Sequence, residues 1–298
     1  MKKLWKFLLG LRFVAAVLLV FFAADLALSL WAPVENSDLF PRNDYEKTIA
    51  AHGGGTEYDR VIYGNSVLIS SYIEGDSASG YVNFGLDYGT VTDLDKMLKR
   101  SLLKVDDELV IALNYFVLLD VMDTNPSYPW HRGALEPYVY FERDRLRKLA
   151  DESFLALMHF RPLSSLPRYT GTDKAVYYGM MTDAELAEKA ATHSELYWGL
   201  GTEYYSENLA ALQSVIRYCA DSDVRLRVIF CPWNSFLAMP ENPAKAMELA
   251  RALLEDAGVE VLDLTDALDR RCFHDLGHLN YEYGAVYFTE AIEQWLNS

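Results

Sequence analysis

Beyond residue 58 the sequence predicts a three-layer α/β fold, a mostly parallel five-stranded sheet with helices on both faces. Three observations carry that prediction. Short apolar runs recur at 60–63, 81–86, 109–113, 226–231 and 259–264. Amphipathic stretches with helix-boundary residues separate several of them, the alternation that builds a parallel sheet. The third run, Leu109-Val110-Ile111-Ala112-Leu113, is apolar throughout, as a strand covered on both sides must be.

In chain order, residues 1–31 come first and are a separate physical object. Met1-Lys2-Lys3-Leu4-Trp5-Lys6 is basic, and Phe7 to Trp31 is apolar apart from Arg12, Asp25 and a few small residues. About 20 apolar residues suffice to cross a hydrocarbon core roughly 30 Å thick. The three lysines ahead of the run predict a cytoplasmic N-terminus, hence a single-pass protein of the cell membrane with an extracytoplasmic domain. An uncleaved anchor is preferred to a cleaved signal peptide, because the run is long and no small-x-small site closes it. Ala23, Ala24 and Ala27 are what the rival reading rests on. No cysteine near its end points to a lipid anchor.

Residues 32–58, with their Pro, Asn, Asp and Gly, read as a juxtamembrane stalk leading into one domain at 59–298. The first strand ends on Gly64-Asn65-Ser66, where a helix starts. A helix is predicted over Thr92–Leu103, with Thr92 as N-cap and Leu94, Met97, Leu98 and Leu102 on one face. Another runs from Pro243 to Ala257 and closes on Gly258, and the last spans Tyr281–Leu296. Residues 116–201 break the rhythm and read as an insertion at the C-terminal edge of the sheet. That edge is where open α/β sheets bind ligands. The insertion is rich in aromatics: Tyr128, Trp130, Tyr138, Tyr140, Phe141, Tyr169, Tyr177, Tyr178, Tyr197 and Trp198. These rings either pack a small core of their own or stack on sugar rings and acyl chains.

The formal net charge is −16, and the remainder is more acidic still once Lys2, Lys3, Lys6, Arg12 and Asp25 are set aside. A field of that sign disfavours nucleic acid and anionic head groups as partners. Cys219, Cys231 and Cys272 are widely spaced and odd in number, which gives neither a disulfide framework nor a CxxC pair.

The chemistry lies in two short motifs, Val61-Ile62-Tyr63-Gly64-Asn65-Ser66 and Asp275-Leu276-Gly277-His278-Leu279-Asn280. Together they supply Ser66, Asp275 and His278. A serine hydroxyl becomes a nucleophile when a base takes its proton and a third group holds that base in the right tautomer. The order Ser…Asp…His, with Asp three residues before His, narrows the choice of family. His274 with His278 also forms a His-Asp-x-x-His, close to a zinc-protease motif, with Glu290 or Glu293 as third ligand. Gly277 inside that motif opposes the helix it needs, so no metal and no cofactor is expected. His52, His131, His159 and His193 read as surface or structural residues. Trp233-Asn234 follows the fourth strand and faces the same sheet edge.

These motifs resemble the SGNH (GDSL-like) hydrolase superfamily. Gly64-Asn65-Ser66 is similar to its nucleophile block, with Asn in place of Asp, and Asp275 and His278 match its last block. The resemblance implies a flavodoxin-like sheet, a catalytic triad of Ser66, Asp275 and His278, and an oxyanion hole. The hole would be made by the Ser66 and Gly85 N–H groups and the Asn114 amide, although the usual Gly-x-Asn-Asp is reduced here to Leu113-Asn114-Tyr115. With the anchor, the layout resembles the D-alanyl-lipoteichoic acid biosynthesis protein D group and polysaccharide O-acetylation proteins. That implies a serine O-acyltransferase or esterase acting on acyl groups of a cell-envelope polymer, beside a membrane-bound O-acyltransferase. The alternative is a catalytically weak binding or scaffold module for such an acyltransferase.

Overall fold

The structure, a computed structural model, describes residues 2–34, 36–37, 42–122, 124–125, 127–133, 135–166 and 176–297. The chain divides into two compact units, Met1–Asn43 with Pro126–Gly171, and Asp44–Asn125 with Thr172–Ser298. In chain order the helices and strands are α1 (Lys2–Trp31), α2 (Asp44–Ala51), β1 (Glu57–Gly64), α3 (Ser66–Ser71), β2 (Val82–Gly85), α4 (Val91–Lys99), β3 (Lys104–Leu113) and α5 (Tyr115–Leu118). They continue with α6 (Asp144–Met158), α7 (Asp183–His193), α8 (Ser206–Asp221), β4 (Arg225–Phe230), α9 (Glu241–Asp256), β5 (Glu260–Asp263) and α10 (Gly284–Leu296).

In the larger unit all five strands are parallel, in the order β2-β1-β3-β4-β5. This is the flavodoxin-like order, whose direction reverses between β1 and β3 and opens a crevice at their C-terminal ends. Alternate side chains serve the two faces. Ile62, Val110, Ala112 and Ile229 pack with Leu68 of α3 and Phe288 and Ile292 of α10. On the other face the Tyr63 hydroxyl donates to Thr90 O just before α4 (2.5 Å), and Arg251 of α9 lies over the Phe230 ring. The first halves of β1 and β3 are mostly exposed, with Tyr58 and Val105 their buried apolar residues, so these strands begin earlier than the apolar runs alone predicted.

Three helix starts differ from expectation, each for a local reason. Thr90, not Thr92, caps α4: its Oγ1 accepts the Asp93 N–H while the Asp93 carboxylate accepts the Thr90 N–H. Thr92 instead donates to Asn208 of α8. Helix α9 starts at Glu241 after Pro240, and Pro243 fits its first turn because an N–H there has no carbonyl partner within the helix. Its end is as predicted, with Gly258 at φ +65 and the Gly258 and Val259 N–H groups bonded to Glu255 O and Leu254 O. Helix α10 starts at Gly284 because Asn280 Oδ1 accepts the Tyr283 and Gly284 N–H groups (both 3.1 Å). A Cβ on Gly284 would lie 1.9 Å from Cys272 O, so only glycine fits this approach.

The sheet holds the other end of α10 through a buried cation. Arg227 of β4 pairs with Glu108 of β3 and donates to Trp295 O (2.8 Å) and Leu296 O (3.1 Å) in the last turn of the helix.

In the smaller unit, Gly10–Trp31 of α1 is long and apolar enough to cross a membrane; a signal sequence meets the same description. Asp25, inside that run, is buried, and its carboxylate accepts the N–H groups of Tyr140 (3.1 Å) and Phe141 (3.2 Å). Phe21 stacks on Phe141 (5.9 Å), and Arg143 donates to Ser29 O. Tyr128 and Trp130 are buried and stacked on each other, so these insertion aromatics form core, while Tyr138 and Phe141 are exposed. Tyr169 lies outside the described residues.

Candidate active site

Ser66 is delivered by a tight strand-to-helix turn. Gly64 ends β1 where a Cβ would meet Leu68 Cβ at 2.8 Å and Ala112 Cβ at 3.2 Å. Asn65 then caps α3, its Oδ1 accepting the Val67 N–H (3.0 Å), and Ser66 takes the first helical position. Asn114 plays the same part after β3, its Oδ1 accepting the Phe116 and Val117 N–H groups. The two amides also bond each other reciprocally, at 2.9 and 3.2 Å. Asn65 thus locks the two strand ends on either side of the crevice.

The Asp-x-x-His segment is a closed loop rather than a helix. Phe273 and Leu279 form an antiparallel bridge, and the His274 N–H bonds His278 O (2.8 Å). Inside the loop Asp275 Oδ1 accepts the Gly277 (2.9 Å) and His278 (2.7 Å) N–H groups. Asn280 bonds Arg271 O and Phe273 O and ties the loop to α10. Asn234 donates to Asp275 O (2.7 Å), fixing the loop from the β4 side.

Across the crevice Ser66 Oγ lies 2.9 Å from His278 Nε2, and His278 Nδ1 lies 2.8 Å from Asp275 Oδ2. An ionised carboxylate only accepts, so Nδ1 carries the proton and Nε2 offers its lone pair to the serine. Asp275 is buried. Burial opposes its charge, but the bonds to His278 and the nearby Lys189 overcome that and hold its carboxyl far below the usual range.

Lys189 is the residue the sequence did not single out. It projects from α7, and its Nζ lies 2.5 Å from Asp275 Oδ2, the oxygen that also accepts from His278. One turn later on the same helix face, His193 lines the cavity, held down to about 4 by burial and by Lys189, so it is neutral at neutral pH. A lone lysine and a histidine four apart on an amphipathic helix carry no motif. Asp87 also lines the cavity, its carboxyl raised by burial and by Asp44.

The cavity, about 240 Å³, is walled largely by Tyr115, Phe116, Tyr177, Tyr197, Trp233 and Met247. Tyr177 lies against the His278 ring (4.5 Å). Cys231 lines the cavity as a thiol, burial pushing it up to about 12, so it supplies no thiolate at neutral pH. Tyr88 sits at the cavity with φ 54, a left-handed conformation unusual for a bulky side chain.

Gly85 requires a correction. It pairs with Gly64 in the sheet, its N–H is taken by Asn83 Oδ1 (3.1 Å), and it does not line the cavity. A Cβ there would lie 2.5 Å from Ile69 Cγ1, so its small size serves packing between β2 and α3 and not an oxyanion. The remaining donors are the Ser66 N–H, in the first turn of α3 where no helical carbonyl reaches it, and the Asn114 amide, which bonds Asn65 Oδ1 and the Cys231 sulfur at the cavity wall. The zinc reading also finds its groups dispersed. His274 Nδ1 faces Tyr178 O (3.0 Å), and Glu293 is engaged by Ser77 and Ala78. Among the described residues no three His, Cys, Asp or Glu side chains converge.

No family model and no curated protein sequence matches the chain. Among solved structures it is similar to the acetyl xylan esterase AlAXEase, with 12% identity and a TM-score of 0.38 over 79% of this chain and 98% of that one. It is also similar to LAE5, an alpha/beta hydrolase enzyme from the metagenome of Lake Arreo, Spain, with 15% identity and a TM-score of 0.38 over 82% and 97%. Likenesses this distant carry no weight for activity.

Proposed function

We propose that the chain is a membrane-anchored, extracytoplasmic serine esterase or O-acyltransferase of the SGNH type, acting on acyl groups of a cell-envelope polymer. The observation that carries this reading is the Ser66–His278–Asp275 hydrogen-bond chain at the C-terminal edge of a parallel sheet, opening into an aromatic cavity. Ser66 Oγ attacks the ester carbonyl as His278 Nε2 takes its proton, and Asp275 balances the imidazolium that forms. The oxyanion is met by the Ser66 N–H and the Asn114 amide. Collapse of the intermediate breaks the bond to the alcohol, which leaves with the proton from His278, and the acyl group stays on Ser66. Water or a polymer hydroxyl then repeats the cycle in reverse. The apolar span Gly10–Trp31 supports anchoring, and the aromatic walls suit a sugar or acyl chain.

A second reading, a scaffold beside a membrane-bound acyltransferase, is favoured by one observation: the Gly85 N–H is spent on Asn83, which leaves a thinner oxyanion site. Covalent labelling of the full chain in detergent by a fluorophosphonate probe separates the two. Labelling that disappears in both Ser66→Ala and His278→Ala is expected. A well-folded wild type that does not label would refute the catalytic reading.

A further inference from the structure

We infer that the part of the insertion belonging to the smaller unit is a second membrane contact, with residues 135–163 seated in the outer part of the same bilayer leaflet that α1 leaves. The inference rests on the anchored reading of α1. Its starting point is Asp25. Gly10–Trp31 is 22 residues, about 33 Å of helix, enough to fill a hydrocarbon core. Asp25 lies six residues before Trp31, about 9 Å along the axis, below the outer edge of that core. A carboxylate at such depth is costly unless protein groups satisfy it. Here they are the backbone N–H groups of Tyr140 and Phe141, with Phe141 stacked on Phe21 one turn away. The 140–141 turn therefore shares Asp25's depth.

The surface that continues from this turn is what a water-facing segment lacks a reason to have. Leu135, Tyr138, Phe154, Leu157, Met158 and Phe160 are all well exposed, Phe160 at 97%. Large exposed apolar side chains clustered within thirty residues mark an interaction surface. Their occupant is lipid, because the cluster continues directly from a membrane-length helix. His159 and Arg161 flank Phe160, the arrangement of an interfacial segment whose polar groups stay at head-group level. Residues 135–163 carry five acidic and five basic side chains, and a segment without net charge fits zwitterionic lipid.

The test places an environment-sensitive fluorophore on single added cysteines in the full chain reconstituted into phosphatidylcholine vesicles, with and without nitroxide-bearing lipid. The native cysteines are buried and leave the added thiol as the reactive one. Leu157→Cys and Phe160→Cys probe the proposed contact, Val17→Cys probes α1, and Leu249→Cys on α9 is the water-exposed control. Blue-shifted emission, most of it lost to nitroxide lipid, is expected at 17, 157 and 160 and not at 249. Quenching at 17 alone overturns the second contact while leaving the anchor intact. A blue shift at 157 and 160 without lipid quenching means that protein, a second copy included, covers the patch, and also overturns it. No quenching at 17 removes the anchor itself, and the inference with it.

Discussion

Replacing Lys189 by glutamine removes one positive charge from the candidate triad while leaving the rest of its geometry in place. Asp275 Oδ2 accepts from both Lys189 Nζ and His278 Nδ1, so the ammonium and the imidazole are at most about 5.3 Å apart. At an effective dielectric of about 20, two like charges at that distance repel by about 3 kcal/mol. The lysine side chain is 29% exposed, and screening leaves about half of this, about 1.5 kcal/mol. Lys189 thus opposes the positive charge that the imidazole takes on as Ser66 gives up its proton. Fluorophosphonate labelling at neutral pH is expected to be about tenfold faster in Lys189→Gln. The loop should keep its shape, because the Gly277 and His278 N–H groups still hold the other carboxylate oxygen. An unchanged or slower rate refutes the argument. So does a folded variant that no longer labels, since Lys189 would then be holding Asp275 and not tuning it.

Three further outcomes follow from the structure. Asn114→Ala should cost about 10²–10³ in labelling rate through the lost oxyanion donor, whereas Gly85→Ala should act on stability, by about 1–3 kcal/mol in denaturant unfolding, through the clash with Ile69; a Gly85→Ala protein of unchanged stability and lost reactivity would restore the glycine to the oxyanion site. His193 has its folded value lowered from 6.5 to about 4, so the stability it contributes is present above 6.5 and is lost as pH falls toward 4. Thermal melts of His193→Leu across that window should therefore decline less steeply than wild type, and parallel declines would show that this histidine is not buried neutral.

Much of the sheet was legible because a parallel strand covered on both faces is a continuous apolar run, as at Leu109–Leu113. The first halves of β1 and β3 were not, since there Tyr58 and Val105 are the buried apolar residues among mostly exposed ones. Ser66, Asp275 and His278 were visible because their spacing is itself a constraint, which the structure explains by the Phe273–Leu279 bridge closing the loop. Lys189 and Asp87 had no such signature, because a single charge on a helix or loop looks the same whether it faces water or a carboxylate in a cavity. Gly85 shows the opposite case. Its position after the second strand was plain, but a glycine needed for close packing and a glycine needed for a free N–H read alike in sequence.

Ser66 and His278 are 212 residues apart, and the histidine loop is carried on a helix whose far end is clasped by Arg227. During synthesis the serine emerges early and the sheet gains β4 and β5 before its partner exists. In the proposed triad the serine therefore gains its base last, so fluorophosphonate reactivity reports completion of the fold, and chains truncated before α10 should not label.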